Sequence, residues 1–206
     1  MPRPADPLAS YEARSYWAAT MPSLPDRRGR PLPDAAEVVV VGGGYTGLSA
    51  ARSLAAAGVA VVLLEAESLG FGASTRNGGM AHPGYKWGPR ALVARHGAEL
   101  GGALYRDTQA GFDWLRALVR DEAIDCEWDE RGQLTLASAP GDMAKLAATR
   151  DGYTEAGVET RLVPREQLRE EIGTDAYFGG LAAGNAAGVH PGRLLAGLAA
   201  AADRSG

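Results

Sequence analysis

The most regular pattern of hydrophobic positions lies between residues 37 and 65, where two apolar runs flank a helical repeat. The first run, Val38–Val41, is β-branched and apolar at every position, which predicts a strand buried on both faces of a parallel sheet. From residue 45 to 57, small or apolar residues recur at helical spacing, and Gly58 stands where a helix usually ends. Residues 59–64 are apolar again, so the segment predicts a strand, a helix and a second buried strand in one run.

A glycine-rich turn separates the first predicted strand from the helix. Gly42, Gly44 and Gly47 have the spacing G-x-G-x-x-G, in which the glycines permit a tight turn, close approach of a pyrophosphate and close helix packing. Glu65 ends the second strand, where a carboxylate accepts ribose hydroxyls and repels a 2′-phosphate. The pattern predicts a site for FAD or NAD rather than NADP; the alternative is a βαβ unit with a structural role alone.

The following segment, residues 66–84, is too dense in glycine for an ordinary helix. Its small polar residues and Arg76 supply donors for a phosphate or for the edge of a ring. Directly after a dinucleotide half-site, it predicts a second segment in contact with the cofactor.

The rest of the chain alternates helical and extended patterns. Residues 89–123 predict one or two helices with a break at Gly101 and Gly102. Further predicted strands cover residues 133–137, 159–163 and 178–183, and further predicted helices cover residues 141–156, 164–172 and 192–203. This order fits a chain that leaves a nucleotide-binding domain, builds part of a second domain and returns.

Two motifs carry a resemblance to a known family. The run VVVVGGGYTGLSAARSLAAAGVAVVLLEA, followed by GFGASTRNGG, resembles the FAD-dependent oxidoreductases of the D-amino-acid-oxidase-like superfamily, particularly the gamma-glutamylputrescine oxidoreductase branch. The segments SYWAAT and GVHP also look like that branch, so the similarity covers nearly the whole chain.

The resemblance implies an FAD cofactor and an enzyme that oxidises the C–N bond of an amine or amino acid. It places Gly42, Gly44 and Gly47 at the pyrophosphate and Glu65 at the adenosine ribose. It also places a second set along the pyrophosphate, ribityl chain and flavin ring: Ser74, Arg76, Asn77, Gly78 and Gly79. The family usually has glycine at Thr75, where a positive φ would strain a β-branched residue.

Other candidate residues receive weaker interpretations. His82, close to the predicted flavin loop, is a weak candidate for lining the flavin site, and His96 is a weaker one. No catalytic residue is assigned. Cys126 is the one conceivable covalent flavin tether, but a partly buried thiol is favoured. His190 is expected to cap or pack a helix rather than act as a base, and Trp114 and Trp128 are expected to pack in a core or lid.

Composition and charge narrow the functional class. The 206 residues carry a formal net charge of −4, which argues against a nucleic-acid-binding surface. A single cysteine excludes an internal disulfide and shows no metal-ligand spacing. No stretch has the length of a membrane span and the N-terminus does not resemble a signal peptide, so a cytoplasmic location is expected. The oligomeric state is left open.

The predicted fold is α/β: a Rossmann-like FAD/NAD(P)-binding domain with an inserted, incomplete α+β substrate domain. An N-terminal arm spans residues 1–34, the FAD half-site and flavin loop residues 35–88, part of the substrate domain residues 89–188, and a return helix residues 189–206. A doubly wound sheet needs further strands, so we expect an N-terminal portion of a longer enzyme. The alternative is a non-catalytic nucleotide-binding fragment, or a subunit that needs a partner chain to complete its fold.

Overall fold

The computed structural model describes residues 14–206, so residues 1–13 of the predicted arm lie outside the described residues. The chain divides into two compact units. Of the described residues, 14–78, 124–126 and 190–206 form the first unit, and 79–123 and 127–189 form the second. The elements in chain order are α1 (Tyr16–Thr20), β1 (Val38–Val41), α2 (Tyr45–Ala56), β2 (Val61–Leu64), β3 (Met80–Ala81), α3 (Pro89–Asp121), β4 (Gln133–Leu136), α4 (Asp142–Glu155), β5 (Thr160–Pro164), α5 (Leu168–Ile172), β6 (Gly179–Ala183), β7 (Ala187–Gly188) and α6 (Pro191–Ser205).

The strand, helix and strand predicted at the start of the first unit are confirmed. β1 and β2 are parallel, in a register that pairs Val38 with Val61 and Val41 with Leu64. β2 begins two residues later than predicted because Val59 takes part in the turn that follows α2: its N–H donates to Leu54 O, 3.1 Å away. Gly58, with φ +83°, makes this turn, which caps the helix.

The expectation that β1 is buried on both faces is wrong. Val39 and Val41 are 54% and 84% exposed, while Val38 and Val40 are half-buried. α2 lies on the Val40 side of the sheet, since a Cβ atom at Gly47 would be 3.3 Å from Val40 Cγ1. Among the described residues this sheet contains β1 and β2 alone, and the outward face of β1 has no layer packed on it.

The core of the first unit forms between α2 and α6. Leu195, Leu198 and Ala201 of α6 are no more than 2% exposed, and Leu48 and Ala51 of α2 are buried as well. α6 begins at Pro191, whose fixed φ suits the first helical position. The preceding residue, His190, accepts the Arg193 N–H at Nδ1, which confirms the predicted capping role.

In the second unit, β6 is the central strand of an antiparallel sheet with the order β4-β6-β5. α4 covers the sheet, and their core contains Ala137, Leu146 and Leu181 with half-buried neighbours that include Tyr153 and Phe178. The predicted short helix over residues 164–172 is divided into a 3-10 turn at Arg165–Gln167 and then α5. The domain division of the sequence stays a prediction; the contacts group residues 79–88 with the second unit rather than with the first.

The predicted break in α3 is misplaced. The chain leaves helical geometry at Gly97, with φ +82° and ψ 164°, rather than at Gly101 and Gly102. Gly101 has a different reason to be glycine: a Cβ atom there would lie 2.6 Å from the backbone of Leu92 and Val93, so the helix after the kink packs directly on the helix before it.

The two predicted core tryptophans differ in burial. Trp114 is 50% exposed, so it is not a core residue in the described part of the chain, and a place in a lid stays a prediction. Trp128 packs on Phe112 with 5.8 Å between ring centroids. In the described part of the chain, no helix is both long and apolar enough to cross a membrane.

Replacing Gly101 by alanine should destabilise the second unit by about 1–3 kcal/mol, because the added methyl group meets backbone atoms that cannot rotate away. The matched control is Gly111→Ala in the same helix, where a Cβ atom meets nothing within 4 Å. Relief of glycine's helix cost should stabilise that variant by roughly 0.5–1 kcal/mol. Urea unfolding of both variants checks the prediction, and an equal response would contradict the packing.

Candidate functional site

The turn between β1 and α2 is a close-packed backbone structure. Gly42 has φ +102°, a conformation that favours glycine, and its N–H donates to Leu64 O at 2.7 Å. A Cβ atom at Gly47 would collide with Gly42 O, so the first turn of α2 lies directly on the glycine turn. The structure thus brings the first and third glycines of the motif into contact.

A groove of about 430 Å³ opens over this turn. It is lined by the end of β1, the glycine turn, the first turn of α2 and Ser74. Gly44 is the N-cap residue of α2, and a Cβ atom there would lie 3.1 Å from Ser74 Oγ, within the groove. The N–H groups and the positive end of the helix dipole favour an anion at this place.

Glu65 lies beside the same turn at the end of the neighbouring strand. Its Oε2 accepts the Gly43 N–H at 2.7 Å, and its Oε1 accepts the Glu67 N–H at 3.0 Å. These bonds, that from Glu67 first and that from Gly43 second, hold the pKa of the carboxyl below its usual range. An ionised carboxylate has further lone pairs, so this group can also accept hydroxyl groups.

The glycine-dense loop folds back towards the helix N-terminus. Residues Ala73–Thr75 form a 3-10 turn that brings the Ser74 hydroxyl to 3.1 Å from the Tyr45 N–H. Thr75 is 1% exposed and its hydroxyl donates to Gly70 O at 2.5 Å. Its φ is not positive, since the positive φ values among residues 66–84 fall on Gly70, Gly79 and Gly84, so threonine causes no backbone strain at this position.

The remaining loop candidates bond the loop's own backbone. Arg76 Nε donates to Phe71 O at 2.9 Å, and its guanidinium lies 5.6 Å from the centre of the Phe71 ring. The Asn77 side-chain amide donates to Ala73 O and Ser74 O, both at 3.2 Å. Gly78 closes the first unit, and Gly79, with φ +69°, opens the second.

The structure brings together Gly42, Gly44, Gly47, Glu65 and Ser74, and it adds Tyr45, which the sequence analysis missed. The Tyr45 hydroxyl donates to Pro191 O at 2.9 Å, and burial raises its pKa. This bond ties the first turn of α2 to the start of α6. No sequence pattern indicates it, because the two residues are 146 positions apart.

The weaker candidates lie elsewhere. His82 and His96 are exposed residues of the second unit, and His82 Nδ1 is 3.1 Å from Pro83 O. Cys126 is 1% exposed in the first unit, more deeply buried than expected. Within residues 14–206 no group of three or more histidine, cysteine, aspartate or glutamate side chains has the geometry of a metal site.

Acid should destabilise the first unit partly through Glu65. The pKa of Glu65 is lower in the folded protein, so as pH falls the unfolded chain binds a proton at Glu65 before the folded protein does. The contribution of ionised Glu65 to stability is therefore complete above the ordinary pKa of 4.5 and is lost as pH falls through the folded pKa. The Glu65→Gln variant has no carboxyl group to titrate at this position. It should therefore be less stable than the original protein at neutral pH, and this difference should shrink as pH falls below 4.5. Chemical unfolding from neutral to acidic pH measures this. Glu99→Gln, at an exposed position of α3, controls for the loss of one negative charge.

Known proteins with similar sequences and folds agree on one family. The chain is 34% identical over 164 residues to gamma-glutamylputrescine oxidoreductase of Escherichia coli, covering 79% of this chain and 38% of that protein. It is 33% identical over 168 residues to the probable oxidoreductase OrdL of Haemophilus influenzae, covering 81% and 39%. The chain therefore spans about two fifths of the length of these relatives.

Solved structures share the fold. The L-amino acid deaminase of Proteus vulgaris superposes with a TM-score of 0.71 at 20% identity, over 89% of this chain and 41% of that one. Glycine oxidase of Bacillus cereus superposes with a TM-score of 0.66 at 23% identity, over 84% and 45%. The family model described as FAD dependent oxidoreductase, DAO, matches residues 37–206. The chain belongs to the DAO family of FAD-dependent oxidoreductases.

Proposed function

We propose that the protein binds FAD through its first unit and, as a whole enzyme, oxidises the C–N bond of a small amine or amino acid. FAD is the cofactor that the family description gives. The observation that carries the proposal is the groove over the glycine turn and the α2 N-terminus, together with Glu65, which accepts the Gly43 N–H of the same turn. Each part of this arrangement suits one part of a dinucleotide.

The pyrophosphate is assigned to the groove. Gly42, Gly44 and Gly47 supply backbone without side chains, and the α2 N-terminus supplies N–H donors. Ser74 Oγ stands 3.1 Å from the Tyr45 N–H, so its hydroxyl borders the same place. None of the described residues that line the groove has a side-chain carboxylate, so an anion fits here.

Glu65 is assigned to the adenosine ribose. The two N–H groups that bind it fix its oxygens next to the glycine turn, where they can accept a pair of ribose hydroxyls. A 2′-phosphate would meet a second negative charge at this place, so FAD or NAD is favoured over NADP. Arg76, Asn77, Gly78 and Gly79 are assigned to the rest of the pyrophosphate, the ribityl chain and the ring.

The substrate class comes from the relatives. One is named for gamma-glutamylputrescine oxidation, and structures of the same fold belong to glycine oxidase and L-amino acid deaminase. Bound FAD would supply a two-electron oxidant: the carbon that bears nitrogen would lose a hydride to it and the nitrogen a proton to solvent, and water would hydrolyse the imine to a carbonyl compound and ammonia or an amine. The residues of this chain orient the cofactor; none of them is assigned as a base.

The two units then have different roles. We assign residues 35–79 and the return helix α6 to cofactor binding and the β4-β6-β5 sheet to part of the substrate domain. The relatives give no support to the alternative, a non-catalytic nucleotide-binding fragment or a subunit completed by a partner chain. The expected cytoplasmic location stays a prediction.

Replacing Gly44 by valine should abolish FAD binding, because its side chain would project beside Ser74 into the space assigned to the pyrophosphate. The matched control is Gly141→Val, at an exposed position where a Cβ atom meets nothing within 4 Å. Flavin absorbance and circular dichroism are measured on the same preparation of each variant and of the original protein. A folded Gly44→Val protein with stoichiometric FAD would overturn the site assignment.

The reaction is tested without oxygen by mixing the FAD-loaded natural protein with gamma-glutamylputrescine, putrescine, glycine and other amino acids. A true substrate should bleach the visible absorbance of the oxidised flavin and yield a carbonyl product. Analogues with a hydroxyl in place of the amine are the control, since they lack the C–N bond. If the protein binds FAD and no amine or amino acid reduces it, the proposed reaction is wrong while the cofactor assignment stands.

A further inference from the structure

The N-terminal arm contains a helix too short to be stable by itself. α1 has five residues and buries none of them. Isolated helices of this length are unstable in water because the hydrogen bonds of a single turn do not offset the free-energy cost of helix nucleation. Contacts within the first unit must therefore hold α1, and they come from the start of α6 and from the glycine-dense loop.

One of these contacts joins the arm to the loop. The Trp17 indole N–H donates to Asn77 O at 2.8 Å, across 60 positions of sequence. A carbonyl bonded from outside the loop cannot rotate freely, so the bond restrains the peptide between Asn77 and Gly78. The Asn77 side chain in turn holds Ala73 O and Ser74 O. The arm therefore restrains the loop that carries Ser74.

His190 anchors the other side of Trp17. It is 3% exposed, and its ring meets the Trp17 ring edge-to-face with centroids 4.9 Å apart. Its Nδ1 accepts the Arg193 N–H, so the proton of the neutral ring belongs on Nε2. That nitrogen is 2.9 Å from Thr20 Oγ1, whose own proton goes to Tyr16 O at 2.7 Å.

Gly192 allows the arm to approach α6. A Cβ atom there would collide with Trp17 O and would lie 2.7 Å from Met21 Cβ. The arm continues along the same unit, where the Arg27 guanidinium forms an ion pair with Asp203. Trp17 is thus held at a fixed position by its backbone, its ring and its N–H group.

We propose that Trp17 is a positioning residue for the cofactor. Together with Thr20 and His190 it forms a clasp that fixes the Asn77 peptide and, through the loop, the Ser74 hydroxyl at the α2 N-terminus. The inference rests on the proposed FAD site. Without the Trp17 N–H, the loop spends part of its time away from the geometry that binds, and the observed affinity falls by that fraction.

The test compares Trp17→Phe, which keeps a ring and removes the N–H donor, with Tyr16→Phe, which removes a hydroxyl from the neighbouring ring that is 68% exposed. The flavin is removed from the original protein and from each variant, and the FAD dissociation constants are measured by titrating each protein with FAD. We expect Trp17→Phe to bind FAD roughly 3- to 10-fold more weakly, the range for one lost hydrogen bond, and Tyr16→Phe to bind as the original protein does.

Thermal unfolding of the cofactor-free proteins separates positioning from general stability. A positioning role lowers the melting temperature of the FAD-loaded Trp17→Phe protein more than that of the cofactor-free one. Equal losses in both forms, or an unchanged dissociation constant, would overturn the proposal. If the original protein itself binds no FAD, the proposed function fails rather than the clasp.

A second pair of variants tests the clasp without changing Trp17. Thr20→Ser keeps the oxygen that faces His190 Nε2, and Thr20→Val removes it. We expect Thr20→Val to release FAD several-fold faster than Thr20→Ser in stopped-flow exchange, with the cofactor-free melting temperatures nearly equal. Equal release rates would contradict the proposal even if Trp17→Phe failed to fold.

Discussion

The first unit depends on the contact between Gly47 and the Gly42 carbonyl. At this place α2 meets the glycine turn with no side chain between them, and any Cβ atom would separate the two. The contact sets the direction of the helix, which decides where its N-terminal N–H groups point. It also decides where Glu65 and Ser74 can approach, since both bond to backbone in or beside the turn.

Around this contact the unit joins segments that are distant in sequence. Glu65 comes from the end of β2 and Ser74 from the following loop. α6 packs against α2, and Leu195 and Leu198 of α6 are buried. Tyr45 Oη and Trp17 Nε1 add two hydrogen bonds, one to Pro191 O and one to Asn77 O. Backbone groups are a partner in most of these bonds, so the site depends on chain geometry as much as on side-chain identity.

The parts of the fold predicted from sequence are those decided locally. The G-x-G-x-x-G spacing, the valine run and the terminal glutamate predicted β1, α2 and β2, since each depends on residues within one turn or strand. The kink in α3 was predicted at the wrong position because several glycines in this helix permit one. The close approach of Leu92 to Gly101 requires the kink to lie between them, at Gly97. The exposure of Val41 and the bonds of Tyr45 and Trp17 depend on which segments lie nearby, and periodicity does not carry that information.

The position of the clasp in the sequence has a consequence for synthesis on the ribosome. Thr20 and His190 are 170 residues apart, so α1 emerges long before its anchor exists. At about 5–20 residues per second, the interval is roughly 9–34 s. During that time the contacts of this five-residue helix with α6 are missing, and of the contacts described above the Trp17–Asn77 hydrogen bond alone can form. Docking of the arm is therefore a late event in folding. If a protease cuts the arm before docking but not after it, loss of cleavage reports that α6 has folded against α1.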